Sequence, residues 1–321
     1  MKVADLLESR RKNWQQLEDM CTQMESRRKR RLGPLVISRF AALYRAACAD
    51  LALADAYQLP PKTVHYLHRL VGRAYNQLYR SRTFDFATWG SKLLVEAPQT
   101  VFCDRYVRIC FCLFWGVFLL SAMIAASPSV WPTYAEAMLG TEFLGNLETM
   151  FSQDLGRSPD EDLSMVGFYI FNNTGIGLKC FAFMLLIIPG FYVTVYNAAV
   201  LGASFGYMSR PDVSGTENFY EFVTAHAPFE LTAIVLAAGA GLRLGMSWVD
   251  TRGMTRVASM QRAGREVVPA VGAMMILFVM AAMIEGFLSP SAAPYWVKFS
   301  VLVLSILLLL VYFVGLGYLR R

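Results

Sequence analysis

The chain has 321 residues, 55% of them hydrophobic and only 17% charged, with a mean hydropathy of +0.39. Soluble domains carry about 25% charged residues, so this composition excludes an ordinary soluble globule and points to the membrane. The net charge of +6 and the pI near 9.0 are read as topology-setting lysines and arginines on cytoplasmic segments, and no nucleic-acid partner is expected.

In chain order, the opening MKVADLLESRRKNW has no apolar core and no cleavage site, so no signal peptide is expected. Leu7, Trp14, Leu17, Cys21 and Met24 recur at three-, four- and seven-residue intervals, the signature of one helix face. The basic run Arg27–Arg31, read as a solvated or lipid-facing patch, and Gly33-Pro34 end that helix. A second helix is predicted over about 35–57, with Phe40, Leu43, Tyr44, Ala47, Leu51 and Ala54 inward. A third follows over about 62–81, with Pro61 in its first turn and Val64, Leu67, Val71, Ala74 and Leu78 on one face. Short links favour an antiparallel three-helix bundle, which gives a cytoplasmic domain over 1–82.

Residues 83–105 read as an amphipathic segment at the membrane surface, with Phe84, Phe86, Trp89, Leu93 and Leu94 set among Asp85, Lys92 and Glu96. Up to residue 105 there are 18 Lys/Arg against 10 Asp/Glu. The next loop, 128–162, has seven acids and one base, so 1–105 is expected inside and this loop outside. Residues 251–265 hold Arg252, Arg256, Arg262 and Arg265 with no acid, and the chain ends Arg320-Arg321, so both read as cytoplasmic. The transmembrane domain, 106–321, then has about six segments: 107–127, 165–188, 191–208, 228–248, 267–288 and 297–319. Pro189-Gly190 is the break between the second and third, which are two full spans or a re-entrant hairpin. The rival, one long helix and five spans, violates the charge rule at one loop. The fold class is all-α: a polytopic helical membrane protein with an N-terminal cytoplasmic three-helix bundle.

Ala237, Gly241 and Gly245, every fourth residue of an apolar helix, mark a packing seam where a neighbouring helix approaches closely. Polar groups at membrane depth are costly, and here they are Asn172, Asn173, Lys179, Asn197, His226, Glu230, Arg243 and Glu285. In the six-segment layout Asn172, Asn173, His226, Glu230 and Glu285 converge near the outer boundary, with Lys179 and Asn197 deeper. Together with Asn197 they form the candidate binding or structural cluster. Arg243 sits near the inner face, where a snorkelling side chain is the simplest account. No metal site or cofactor is assigned: HxxxE supplies two ligands where catalytic zinc takes three, and Glu285 is the candidate third. No catalytic residue is assigned either, since HExxH, GxSxG and paired Asp on facing spans are absent from the sequence. The six cysteines form no CxxC or zinc-ligand spacing and read as small buried residues.

Several stretches together resemble the stage II sporulation protein M family in its longer form. They are RRKNWQQLE (10–18), LYRAACADLALA (43–54), FNN (171–173), YNAAVLG (196–202), AHAPFELTAIVLAAGAGLRLG (225–245) and AAMIEGFLSP (281–290). The His–Glu and IEGFLSP segments are the specific ones. Ala227 and Ala198 stand where the family typically has glycine.

The resemblance implies a membrane anchor for peptidoglycan-degrading proteins, with an AAA-type ATPase, an RDD-type membrane protein and a transglutaminase-like protein as genetic neighbours. Sporulation itself is not inferred. The expected function is a non-enzymatic scaffold in the inner (cytoplasmic) membrane with both termini cytoplasmic, bound to membrane or envelope proteins and the lipid bilayer. The alternative is a small-solute or lipid transporter that uses the buried Glu/His/Asn cluster.

Overall fold

The computed structural model describes residues 9–26, 33–78, 86–153, 155–156 and 159–319, and these form two compact units divided at Asp85/Phe86. Among the sequence features above, Leu7, the Arg27–Arg31 run, Phe84, Asp85, Asp154, Arg157 and Arg320-Arg321 lie outside the described residues. The described residues form helices and connections without strands, so the protein is all-α.

The first unit is a three-helix bundle of α1 (Arg11–Ser26), α2 (Pro34–Ala56) and α3 (Pro61–Leu78), in which each helix touches the other two. Its core is Trp14, Leu17, Cys21, Phe40, Leu43, Ala47, Ala54, Leu67, Leu70 and Ala74. Pro34 and Pro61 each stand at the start of a helix, where their missing N–H costs no intrahelical bond. One polar group enters this core: Asp50 is fully buried, accepts from Trp14 Nε1 at 2.8 Å and pairs with Arg10.

The second unit opens with α4 (Phe86–Ser91), a π-helical turn Lys92–Glu96 and α5 (Ala97–Cys103). This amphipathic stretch lends Ala97 and Val101 to the larger core. After it come α6 (Arg105–Ala126), α7 (Tyr134–Leu139), α8 (Thr141–Phe151), α9 (Pro159–Met184), α10 (Ile188–Met208), α11 (Thr216–Val223) and α12 (Ala227–Met246). Next are α13 (Arg256–Met283) with a π-helical turn Ile284–Leu288, and α14 (Tyr295–Leu309), whose end winds through a third such turn, Leu310–Gly315, into α15 (Leu316–Leu319). Among the described residues, five helices are long and apolar enough to cross a membrane: Arg105–Ala126, Ile188–Met208, Ala227–Met246, Arg256–Leu288 and Tyr295–Leu319. This is a polytopic helical membrane protein.

α12 is the centre of the unit, and its apolar window is 72% buried against 6% for the last span. It packs on α6, α9 and α13. The Ala237/Gly241/Gly245 stripe is where α9 comes in: a Cβ on Gly241 would lie 2.4 Å from the Phe181 carbonyl oxygen, and one on Gly245 2.5 Å from that of Met184. Ala237 is fully buried in the same core.

Two boundaries differ from the sequence expectation. Pro189 opens α10 instead of separating two segments, because a proline fits the first turn; the chain reverses at Leu185–Ile187, with Ile187 at φ 61°. The arginine loop is also mostly helix: Thr255 accepts a hydrogen bond from the Ala258 amide and starts α13, so Arg256, Arg262 and Arg265 stand on the helix itself.

The acidic stretch 128–162 holds helices α7 and α8, and Phe151 at the end of α8 packs with Met208 and Phe219 in a small separate core. Gly215 must be glycine there, with φ +81° and a Cβ position 2.7 Å from the Phe151 backbone. Glu148 accepts from the Tyr207 hydroxyl and, at 3.0 Å, from Ser214 Oγ. The Tyr207 hydrogen bond holds the Glu148 carboxyl below the usual carboxylate range. A native pKa below the unfolded one stabilises the fold above the unfolded value and is lost as pH falls through the native one. Glu148→Gln should therefore unfold more readily than wild type at neutral pH, and the gap should shrink as pH drops below about 4.3. Thermal unfolding of both proteins from neutral pH down to about pH 3 measures this.

Candidate functional site

The turn Thr224–His226 directs α12 into the bundle, and His226 immediately precedes its first residue. Pro228, in the first turn, is compatible with the helix start. Glu230 lies one turn further on, so its side chain rises on the same face as the imidazole, with His226 Nε2 to Glu230 Oε2 at 3.8 Å. Across from them α13 ends in the π-helical turn Ile284–Leu288, which carries Glu285. Such widened turns recur at functional sites because they re-aim a side chain. His226, Glu230 and Glu285 each bring a ligand-type atom to within 4.8 Å of the others.

Around this triad lies a shell of polar partners. His226 Nδ1 is 3.0 Å from Ser289 Oγ. Asn173 of α9, itself buried, donates from Nδ2 to Glu285 Oε2 at 2.9 Å, and Asn172 Nδ2 donates to Asn173 Oδ1 at the same length. The fully buried Lys298 of α14 donates to the Ser289 carbonyl at 3.0 Å and reaches Glu221 Oε2 at 3.5 Å. Five elements, α9, α11, α12, α13 and α14, thus meet at one end of the bundle. Close packing holds them there: a Cβ on Gly177 would overlap the Phe278 ring, and one on Gly286 would lie 2.2 Å from Val166 Cγ2.

Of the sequence candidates, Asn172, Asn173, His226, Glu230 and Glu285 come together. Asn197 does not share their hydrogen bonds: it donates to its own helix at Val193 O, 2.8 Å away, and faces Cys180 Sγ at 4.0 Å. An asparagine in a helix can satisfy its amide on the preceding turn, so depth alone did not place it with the others. Lys179 is exposed on α9.

Sequence reasoning missed Lys298, Glu221 and Ser289. A lone lysine at the start of an otherwise apolar run was the available signal, since a buried lysine needs a partner.

At the opposite end Arg243 is tied down by two acids instead of snorkelling freely. It donates to Asp104 Oδ2 and to Glu266 Oε2, each at 2.6 Å, and Glu266 also accepts from Arg262 at 2.9 Å. Asp104 has a second role, accepting from the Tyr106 amide at 2.8 Å to cap α6.

A model of the stage II sporulation protein M family matches residues 109–290, more than half of the chain, and spans every member of the polar cluster except Lys298. The chain belongs to the stage II sporulation protein M family. Residues 4–80 match a separate domain of unknown function, DUF8413, a stretch that contains the three helices Arg11–Ser26, Pro34–Ala56 and Pro61–Leu78. No curated protein and no solved structure matches the chain. This member of the stage II sporulation protein M family therefore joins the family's membrane unit to a helical unit described by a different family model.

Proposed function

We propose that this protein is a non-enzymatic integral membrane scaffold that anchors an envelope complex of the peptidoglycan-remodelling type. The observation that carries the reading is the surface of the N-terminal unit. Leu35, Val36 and Ile37 are exposed in sequence, Leu35 by 86%, and Val36 and Ile37 run into a groove of about 200 Å³ with Met24, Phe40, Gln77 and Leu78. Adjacent apolar side chains at the start of a helix form the kind of patch that protein partners cover. An AAA-type ATPase and an RDD-type membrane protein, which the family resemblance implies as neighbours, are the first candidates.

The charge distribution supports an inner-membrane location with both termini in the cytoplasm and the His226 end of the bundle outside. In this layout α9 is a sixth crossing. It is 26 residues long, enough for about 39 Å. Its Asn173 meets Glu285 at one end of α13, and its Met184 meets Gly245 at the other end of α12.

Purification from mild detergent tests the scaffold. Wild-type protein should bring partner proteins with it, and the Leu35→Glu/Ile37→Glu variant should lose them while unfolding at the same temperature. A transporter is the second reading, favoured by the buried His226–Glu230–Glu285 cluster. It replaces the first if wild type purifies alone and reconstituted vesicles show a solute flux that Glu230→Gln or Glu285→Gln abolishes.

A further inference from the structure

The polar cluster has a geometry that hydrogen bonding between helices does not require. Two carboxylates and an imidazole each bring one ligand-type atom to the same place, all three within 4.8 Å of one another. We propose that His226, Glu230 and Glu285 form a divalent metal site whose ion is zinc.

The donor set selects the ion class. Imidazole favours zinc and its transition-metal neighbours over magnesium or calcium, which prefer oxygen alone. With no thiolate in the triad, copper(I) and iron–sulfur chemistry do not fit. Three protein ligands leave a fourth position for water or a ligand, the open type of zinc site. Tetrahedral ligands at about 2.0–2.2 Å from zinc sit about 3.3–3.6 Å from one another. The 3.8 Å separation of His226 Nε2 and Glu230 Oε2 is already close to this. Glu285 brings the third ligand atom to within 4.8 Å of both.

The surroundings match what zinc ligands need. A metal-bound histidine engages its other ring nitrogen with a polar partner, which fixes the ring's orientation, and ligating carboxylates are hydrogen-bonded in turn. Ser289 Oγ lies 3.0 Å from His226 Nδ1, leaving Nε2 to face the carboxylates. Asn173, held by Asn172, orients Glu285. Two carboxylates converging in a low-dielectric interior repel unless a proton or a cation lies between them. A divalent ion offsets that repulsion and ties the start of α12 to the end of α13, 55 residues away along the chain from Glu230 to Glu285. Zinc there is a structural clamp on the bundle, with its open position available to a partner's ligand.

The test uses full-length protein without a histidine tag, purified in detergent, stripped with a chelator, reloaded with zinc chloride and desalted. Elemental analysis should find about one zinc per chain, held by nitrogen and oxygen at about 2.0–2.2 Å in X-ray absorption. The loaded protein should unfold at a higher temperature than the stripped one. Glu285→Gln should lower the zinc affinity at least about tenfold, Asn173→Ala about tenfold, and Glu148→Gln, outside the cluster, should leave it unchanged. Wild-type protein that retains no zinc, with identical unfolding before and after loading, overturns the proposal in favour of a shared proton. Sulfur in the coordination shell, or a folded Glu285→Gln variant that binds zinc with wild-type affinity, overturns it too. Should the variants fail to fold, the stripped-against-loaded comparison on wild type decides alone. The inference is independent of the scaffold reading: its failure leaves partner retention by the N-terminal unit untouched.

Discussion

Arg243→Met is expected to destabilise the membrane unit by about 3 kcal/mol, the low end of what breaking a buried ion pair costs, because Arg243 keeps about 26% of its side chain exposed. The cost arises less from lost attraction than from what remains behind. Asp104 is 4% exposed, and without the guanidinium it keeps only the Tyr106 amide as an oriented donor. A carboxylate in that position is an uncompensated charge beside apolar α12. Two further variants separate this cause from loss of packing. Arg243→Lys should recover part of the loss, since an ammonium can serve one carboxylate well but lacks the planar fork that reaches both Asp104 and Glu266. Asp104→Asn combined with Arg243→Met should be more stable than Arg243→Met alone, because asparagine still caps α6 and carries no charge. Denaturant unfolding in detergent measures all three. If Arg243→Met unfolds within about 0.5 kcal/mol of wild type, the Arg243–Asp104–Glu266 triad is a surface ion cluster of little energetic weight.

This triad also shows where the sequence stopped being informative. Periodicity carried the bundle: Trp14, Leu17 and Cys21 recur on one face and are all buried in its core. The cost of polar groups in lipid carried the cluster, because His226, Glu230, Glu285 and Asn173 have few ways to be satisfied except with one another. Charges near helix ends carry no such constraint, since water or headgroups can satisfy them. Asp104 and Glu266, 162 positions apart, therefore stand out in no sequence pattern until the fold brings both to Arg243. Lys298 is the intermediate case: its apolar context was a signal left unused, and its partner at Ser289 is a backbone carbonyl, which no side-chain pattern reveals. Pro189 carried two meanings, helix breaker and helix starter, and the choice between them depended on the reversal at Leu185–Ile187.

Gly241→Leu is expected to have the largest effect of any single substitution considered, and to act at both ends of the unit. A Cβ at this position would stand 2.4 Å from the Phe181 carbonyl oxygen and 2.8 Å from Met184 Cβ, so even alanine forces α9 outward. The obstacle is mainly backbone, which cannot rotate away as a flexible side chain does. Overpacking of this kind costs about 1–3 kcal/mol for small additions, and leucine should exceed that. The consequence reaches the polar cluster because α9 also carries Asn173, whose hydrogen bond to Glu285 depends on the same helix separation. Gly175→Ala on α9 is the matched control: its Cβ would meet nothing within 4 Å, so alanine should be neutral or stabilise by up to about 1 kcal/mol through helix propensity. Thermal unfolding of Gly241→Ala, Gly241→Leu and Gly175→Ala in one detergent gives the ordering. If Gly241→Ala proves as stable as Gly175→Ala, close backbone approach at Gly241 does not hold α9 on α12.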